Sequence, residues 1–134
     1  MDKEFIPYEQ ALALKELEFN KRTFAEYSTI QNNKWVLTFD LSGEGQYPNS
    51  SSACIAPTFS QAFRWFREKY PLHTVINIGI PHDNITHSKK IQYFFNVVKC
   101  GKHHKGIFRS TFYTTYEEAE LECLKKLIEI VKQK

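Results

Sequence analysis

Residues 115–131 set the tightest limit on what this chain can fold into. At about 100° per residue, Tyr116, Ala119, Leu121, Cys123, Leu124, Leu127, Ile128, Ile130 and Val131 share an arc of roughly 200°, with mostly Glu and Lys opposite. A stripe that wide belongs in a core, so other elements must be available to receive it. Thr115 followed by Glu118 predicts a capping box, with the Thr hydroxyl accepting from the N3 amide and the Glu carboxylate reaching back, and a helix starting at 116. Glu117, Glu118, Glu120 and Glu122 near its start, and Lys125, Lys126 and Lys132 toward its end, complement the helix dipole. These charges are structural.

The remaining elements follow from shorter patterns. Pro7 and the good helix formers behind it predict a helix over 7–19. Residues 24–30 and 34–40 are rich in β-branched and aromatic types and flank Asn32-Asn33, which predicts a hairpin with Trp35, Leu37 and Phe39 on the core-facing side. Gly, Pro, Asn and four serines make 42–52 a loop. Pro57 opens a second helix whose apolar stripe is Phe59, Ala62, Phe63 and Phe66, with Trp65 at its edge and Pro71 as its stop. Strand-like runs at 73–80, 90–99 and 107–114 then predict an antiparallel meander, its middle strand carrying Ile91, Tyr93, Phe95 and Val97 on one covered face. The order is αββαβββα, an α+β fold with antiparallel strands covered by helices. A length of 134 residues, 42% hydrophobic and 25% charged, fits a single domain spanning 1–134.

Chemistry is sparse along the chain. Cys54, Cys100 and Cys123 are an odd set at long spacings, a poor disulfide framework, so a reducing compartment, the cytoplasm, is expected. The first residues carry charge of both signs with no apolar stretch behind them, so neither a leader nor a membrane anchor is expected. Cys100, His103 and His104 could ligate a metal, but no second ligand pair stands at useful spacing, and a solvated hairpin tip is the stronger reading. Ser50–Ser52 occupy no nucleophile elbow, Gly43-Glu44-Gly45 is no phosphate loop, and Cys54 and Cys123 read as small buried hydrophobes. The chain is therefore read as non-enzymatic and without a cofactor.

Charge layout carries the functional signal. The 33 residues between Asp83 and Glu117 contain no acidic side chain but include Lys89, Lys90, Lys99, Lys102, Lys105 and Arg109; the segment carries +6 while the rest of the chain carries −3. His103 and His104 lie with Lys102 and Lys105 at the expected hairpin tip, and Lys99 and Arg109 are expected close below. These eight residues form the candidate partner-binding site, with Tyr93, Phe94, Phe108, Phe112 and Tyr113 as interleaved rings. The competing explanation is that the lysines suppress edge-to-edge association of strands.

Three blocks, residues 7–17, 61–70 and 115–131, together resemble a family of small bacteriophage and prophage accessory proteins. The shared positions are helix cores and caps and carry no catalytic residue. Members often have Gly at the position of Glu18, which implies a different exit from the first helix here. The resemblance implies an accessory protein that binds a host protein or ribonucleoprotein, in its sharpest form a counter-defence inhibitor of the anti-CRISPR kind. Direct RNA or DNA binding through the basic segment is the alternative, and a small enzyme ranks third.

Overall fold

Local capping chemistry sets where the three helices begin and end. The computed structural model describes residues 2–29, 35–39, 54–80 and 91–133. The Asn32-Asn33 turn, the 42–52 loop, the turn after Ile80, and Lys89 and Lys90 lie outside the described residues. Helix α1 (Tyr8–Glu16) starts after Pro7 and ends at Leu17. The Phe19 amide donates to the Leu14 carbonyl at 2.9 Å and the Glu18 amide to the Lys15 carbonyl at 3.0 Å, a Schellman closure with Glu18 at φ 66°. That left-handed position suits glycine. Helix α2 (Phe59–Lys69) has a reciprocal capping box that the sequence reading passed over: the Gln61 amide donates to Thr58 Oγ1 at 3.2 Å, and the Thr58 amide donates to Gln61 Oε1 at 2.9 Å. Helix α3 (Tyr116–Lys132) begins where expected, with the Glu118 amide donating to Thr115 Oγ1 at 3.1 Å. Its box is not reciprocal, because the Glu118 carboxylate accepts from the Thr114 hydroxyl at 3.1 Å.

The chain folds as two compact units, Met1–Trp65 and Phe66–Lys134, the boundary falling within α2. In the first unit, β1 (Ala25–Thr29) pairs antiparallel with β2 (Trp35–Phe39) and with β3 (Cys54–Ile55), giving the order β2-β1-β3. The hairpin is as expected. Strand β3 is an addition, too short to show any alternation in sequence, yet Cys54, Ile55, Ala56 and Pro57 are all buried. Helix α1 packs on the β3 side of this sheet, burying Ala11 and Leu14.

Strand β2 differs from its expected burial. Trp35 and Phe39 are each 39% exposed, and among the described residues the rings that meet them come from the segment before α1 and from α1. Trp35 stacks on Tyr8 with centroids 4.4 Å apart, and Phe39 meets Phe5 edge-on at 5.3 Å. The Tyr27 hydroxyl, on the same face, donates to the Ile6 carbonyl at 2.7 Å.

Along α2 the buried set is Phe59, Ala62, Trp65 and Phe66, while Phe63 is half-buried against Phe59. The stripe is thus rotated from its expected centre. At about 100° per residue the four buried positions fit within roughly 120°, and Phe63 falls about 40° outside it. Trp65 meets Phe19 edge-on at 5.3 Å.

The second unit holds the expected meander, β4 (Leu72–Gly79), β5 (Gln92–Lys99) and β6 (Lys105–Arg109), with β5 central and all pairings antiparallel. Helix α3 packs on β5 and β4 and buries Ala119, Cys123, Leu124, Leu127 and Ile128; Phe95 and Val97 of β5 are buried with them. The covered stripe is narrower than expected, with Tyr116 45% exposed, and Ile91 lies outside the strand at 55% exposed. Strand β6 stops at Arg109, short of 114. There the Ser110 hydroxyl accepts the Phe95 amide at 2.8 Å, taking over a ladder position, and the chain rejoins β5 only at Tyr113, whose amide and carbonyl both bond to Tyr93. The architecture is α+β, with antiparallel sheets and helices packed on them.

Two outcomes test these assignments. Phe66→Ala should cost about 3–5 kcal/mol and Phe63→Ala distinctly less, as read by denaturant unfolding. Glu18→Gly should raise stability by about 0.5–1 kcal/mol, since a residue with a Cβ is disfavoured in the left-handed region; an unchanged midpoint would contradict the closure described for α1.

Candidate functional site

The cross-strand register fixes which residues share a face of the second sheet. Val97 faces Phe108 and Thr74, on the side that receives α3: Cys123 of α3 bonds Thr74, and Lys126 Nζ lies 4.3 Å from the Phe108 centroid. Asn96 faces Val75 and Arg109, and Phe94 faces Asn77, so these side chains lie on the opposite face. That face is open. Val75 is 52% exposed and Ile107 40%, and the face holds a shallow groove of about 580 Å³ lined by Val75, Asn77, Asn96, Val98, Ile107 and Arg109. A bulge between Val97 and Val98 leaves Ile107 as an extra residue in β6.

The basic residues divide between the two faces and the tip. Lys102, His103 and His104 are exposed in the turn between β5 and β6. Lys99 and Lys105 are direct cross-strand partners at the base of that turn, both exposed. Arg109 is not beside them. It stands at the far end of β6 on the open face, its guanidinium 4.6 Å from the Phe94 ring centroid. The tip and strand ends thus bring together Lys99, Lys102, His103, His104 and Lys105, whereas Arg109 belongs to the open face and Lys89 and Lys90 lie outside the described residues.

Among the described residues no carboxylate pairs with Lys99, Lys102, Lys105 or Arg109. The lysines of α3 behave differently, Lys125 bonding Glu122 at 2.9 Å and Lys126 bonding Glu129 at 3.0 Å. No Asp or Glu occurs in β4, β5 or β6, so within the three strands the basic residues have no acidic neighbour. Like charges placed directly opposite on paired strands are destabilising, by a few tenths of a kcal/mol or more.

Of the interleaved rings expected beside the basic residues, Phe112 stands on this open face. It is 46% exposed, yet it is held in place: its ring meets Phe94 edge-on at 5.5 Å and lies so close over Gly79 that a Cβ there would overlap it. Phe112 therefore reaches from the β6 side across the central strand to β4. Gly79, unremarkable in the sequence, is what permits that approach.

The cysteines carry no comparable arrangement. Burial pushes the Cys54 thiol up, with Lys15 pulling it partly back, and burial pushes Cys123 up to about 12, against the Thr74 hydrogen bond and with Glu120 adding to the rise. Among the described residues no three His, Cys, Asp or Glu side chains gather where they could hold a metal ion, and no helix is long and apolar enough to cross a membrane. A scan against protein-family models and searches of curated proteins and of solved structures each return no match.

Because Cys54 and Cys123 are buried and held as thiols while Cys100 is only partly covered, a thiol-specific reagent at pH 8 should label Cys100 alone in the native protein and all three in denaturant. Rapid native labelling of a second cysteine would overturn that burial.

Proposed function

We propose that this chain is a non-enzymatic accessory protein of bacteriophage or prophage origin that binds a host nucleoprotein through the basic end of the β5–β6 hairpin, and that its biological role is counter-defence of the anti-CRISPR kind. The observation that carries the reading is the Lys99–Lys105 pair, two like charges set opposite each other on neighbouring strands with no described carboxylate to relieve them. Folding alone favours an opposite charge at either position. A polyanionic partner offsets the repulsion, and the field of Lys102 and Lys105 speeds its encounter. The likeness of the three helical blocks to phage accessory proteins supports the host setting. Suppression of strand-edge pairing accounts for lysines on β6, which is an edge strand, but β5 is central, so it does not account for Lys99.

The test is capture from a bacterial host lysate by the tagged protein, with a charge-reversed control. Lys102→Glu, Lys105→Glu and Arg109→Glu together should abolish capture of the nucleoprotein while moving the melting temperature little, and capture by the parent should fall steeply between about 50 and 200 mM salt. Lys105→Glu alone sets a carboxylate opposite Lys99, so it should raise stability by a few tenths of a kcal/mol while weakening capture. Undiminished capture by the triple variant would sink the reading.

A further inference from the structure

The open face of β4-β5-β6 has properties that charge alone does not explain. Phe112 is half exposed but kept in one place, by the edge of Phe94 and by the missing side chain at Gly79. An exposed ring with nothing to bind gains little from such restraint. Beside it, the Arg109 guanidinium lies over the Phe94 ring, and Asn77 and Asn96, partly exposed, offer amide donors and acceptors along the groove. No strand of the sheet carries an acid that would repel phosphate.

We infer that this face is a platform for single-stranded nucleic acid, the nucleic-acid part of the nucleoprotein proposed above; the inference rests on that reading and names which component of the partner the sheet touches. An unpaired base stacks on Phe112, whose restraint lowers the entropy lost on binding. The Arg109 guanidinium, held over the Phe94 ring, presents its N–H groups to a phosphate or to the edge of a neighbouring base. Asn77 and Asn96 hydrogen-bond base edges in the groove. Along β6 the distance from Arg109 to the end of the strand is about 14 Å, at roughly 3.4 Å per residue, so a strand lying along the sheet brings its backbone to the turn that carries Lys102. Bases stacked inside a duplex have no free ring face, so the platform selects unpaired strands. An acidic protein surface would satisfy the lysines but gives no use for a held ring next to a guanidinium over Phe94.

Fluorescence anisotropy of the full chain with labelled mixed-sequence 12-nucleotide single strands, RNA and DNA, and with the matching duplexes tests this directly. The parent should bind single strands more tightly than duplex. Phe112→Leu, which keeps apolar bulk but removes the aromatic face, should weaken single-strand binding about ten-fold, and Phe112→Tyr should restore it. Gly79→Ala keeps the ring but displaces it and should weaken binding similarly, with circular dichroism and the melting curve checking that the fold persists. No single-strand binding by the parent, or equal affinity for the parent and Phe112→Leu, overturns the platform. If lysate capture is still lost in the Lys102→Glu, Lys105→Glu and Arg109→Glu variant while Phe112→Leu is neutral throughout, the platform fails and the nucleoprotein reading stands. If nuclease-treated partner, free of nucleic acid, is captured by the parent but not by Phe112→Leu, the face takes protein and the inference is likewise overturned.

Discussion

The seating of α3 on β5 and β4 is the packing on which the second unit depends. Ala119, Cys123, Leu124, Leu127 and Ile128 are buried in one stripe, and Phe95 and Val97 of the central strand are buried on the sheet's matching side. A side chain such as Leu contributes about 1.5–3 kcal/mol when fully buried, so this one contact outweighs the hydrogen-bonded turns around it. A sheet packed on one side by a helix can leave its other side in water. The consequence is a face whose residues are released from packing duty.

The sheet that carries this face departs in several places from what stability favours. Lys99 opposes Lys105, and no acid lies in the three strands. The chain leaves the ladder at Ser110, whose hydroxyl takes the Phe95 amide, and the short excursion before Tyr113 delivers Phe112 across β5 onto Gly79. Each feature gives up a little pairing or charge balance, and together they set one ring, one guanidinium and one cationic tip around a single surface. Such local departures from folding preference concentrate at sites of function.

The first unit is built on aromatic contacts instead of one broad stripe. Tyr8 on Trp35 and Phe5 on Phe39 tie the N-terminal segment to the hairpin, and Phe19 against Trp65 ties the exit of α1 to the middle of α2, each worth about 0.5–1.5 kcal/mol beyond area burial. Those rings explain why the outer residues of β2 are half-covered and not buried. Glu18 holds a left-handed turn that glycine would take without strain, and the closure persists because Phe19 and Leu14, joined by it, are both buried.

Patterns confined to one element were legible in the sequence. The amphipathic period of α3, its Thr115 cap, the β1–β2 hairpin, the β4-β5-β6 meander and the carboxylate-free stretch all depend on residues close together in the chain. The α+β class and the order of every element but β3 follow from them. Tertiary structure alone decided the rest, because each remaining feature joins residues that are distant in sequence. Strand β3 exists because β1 offers it an edge, and Trp65 replaces Phe63 in the buried stripe because Phe19 meets that side of α2. The bulge and the early stop of β6 put Arg109 on the face opposite α3, apart from the lysines that share its charge. Gly79 and Phe112 are 33 positions apart, and no period or spacing links them; only the pairing of β4 with β5 places one beneath the other.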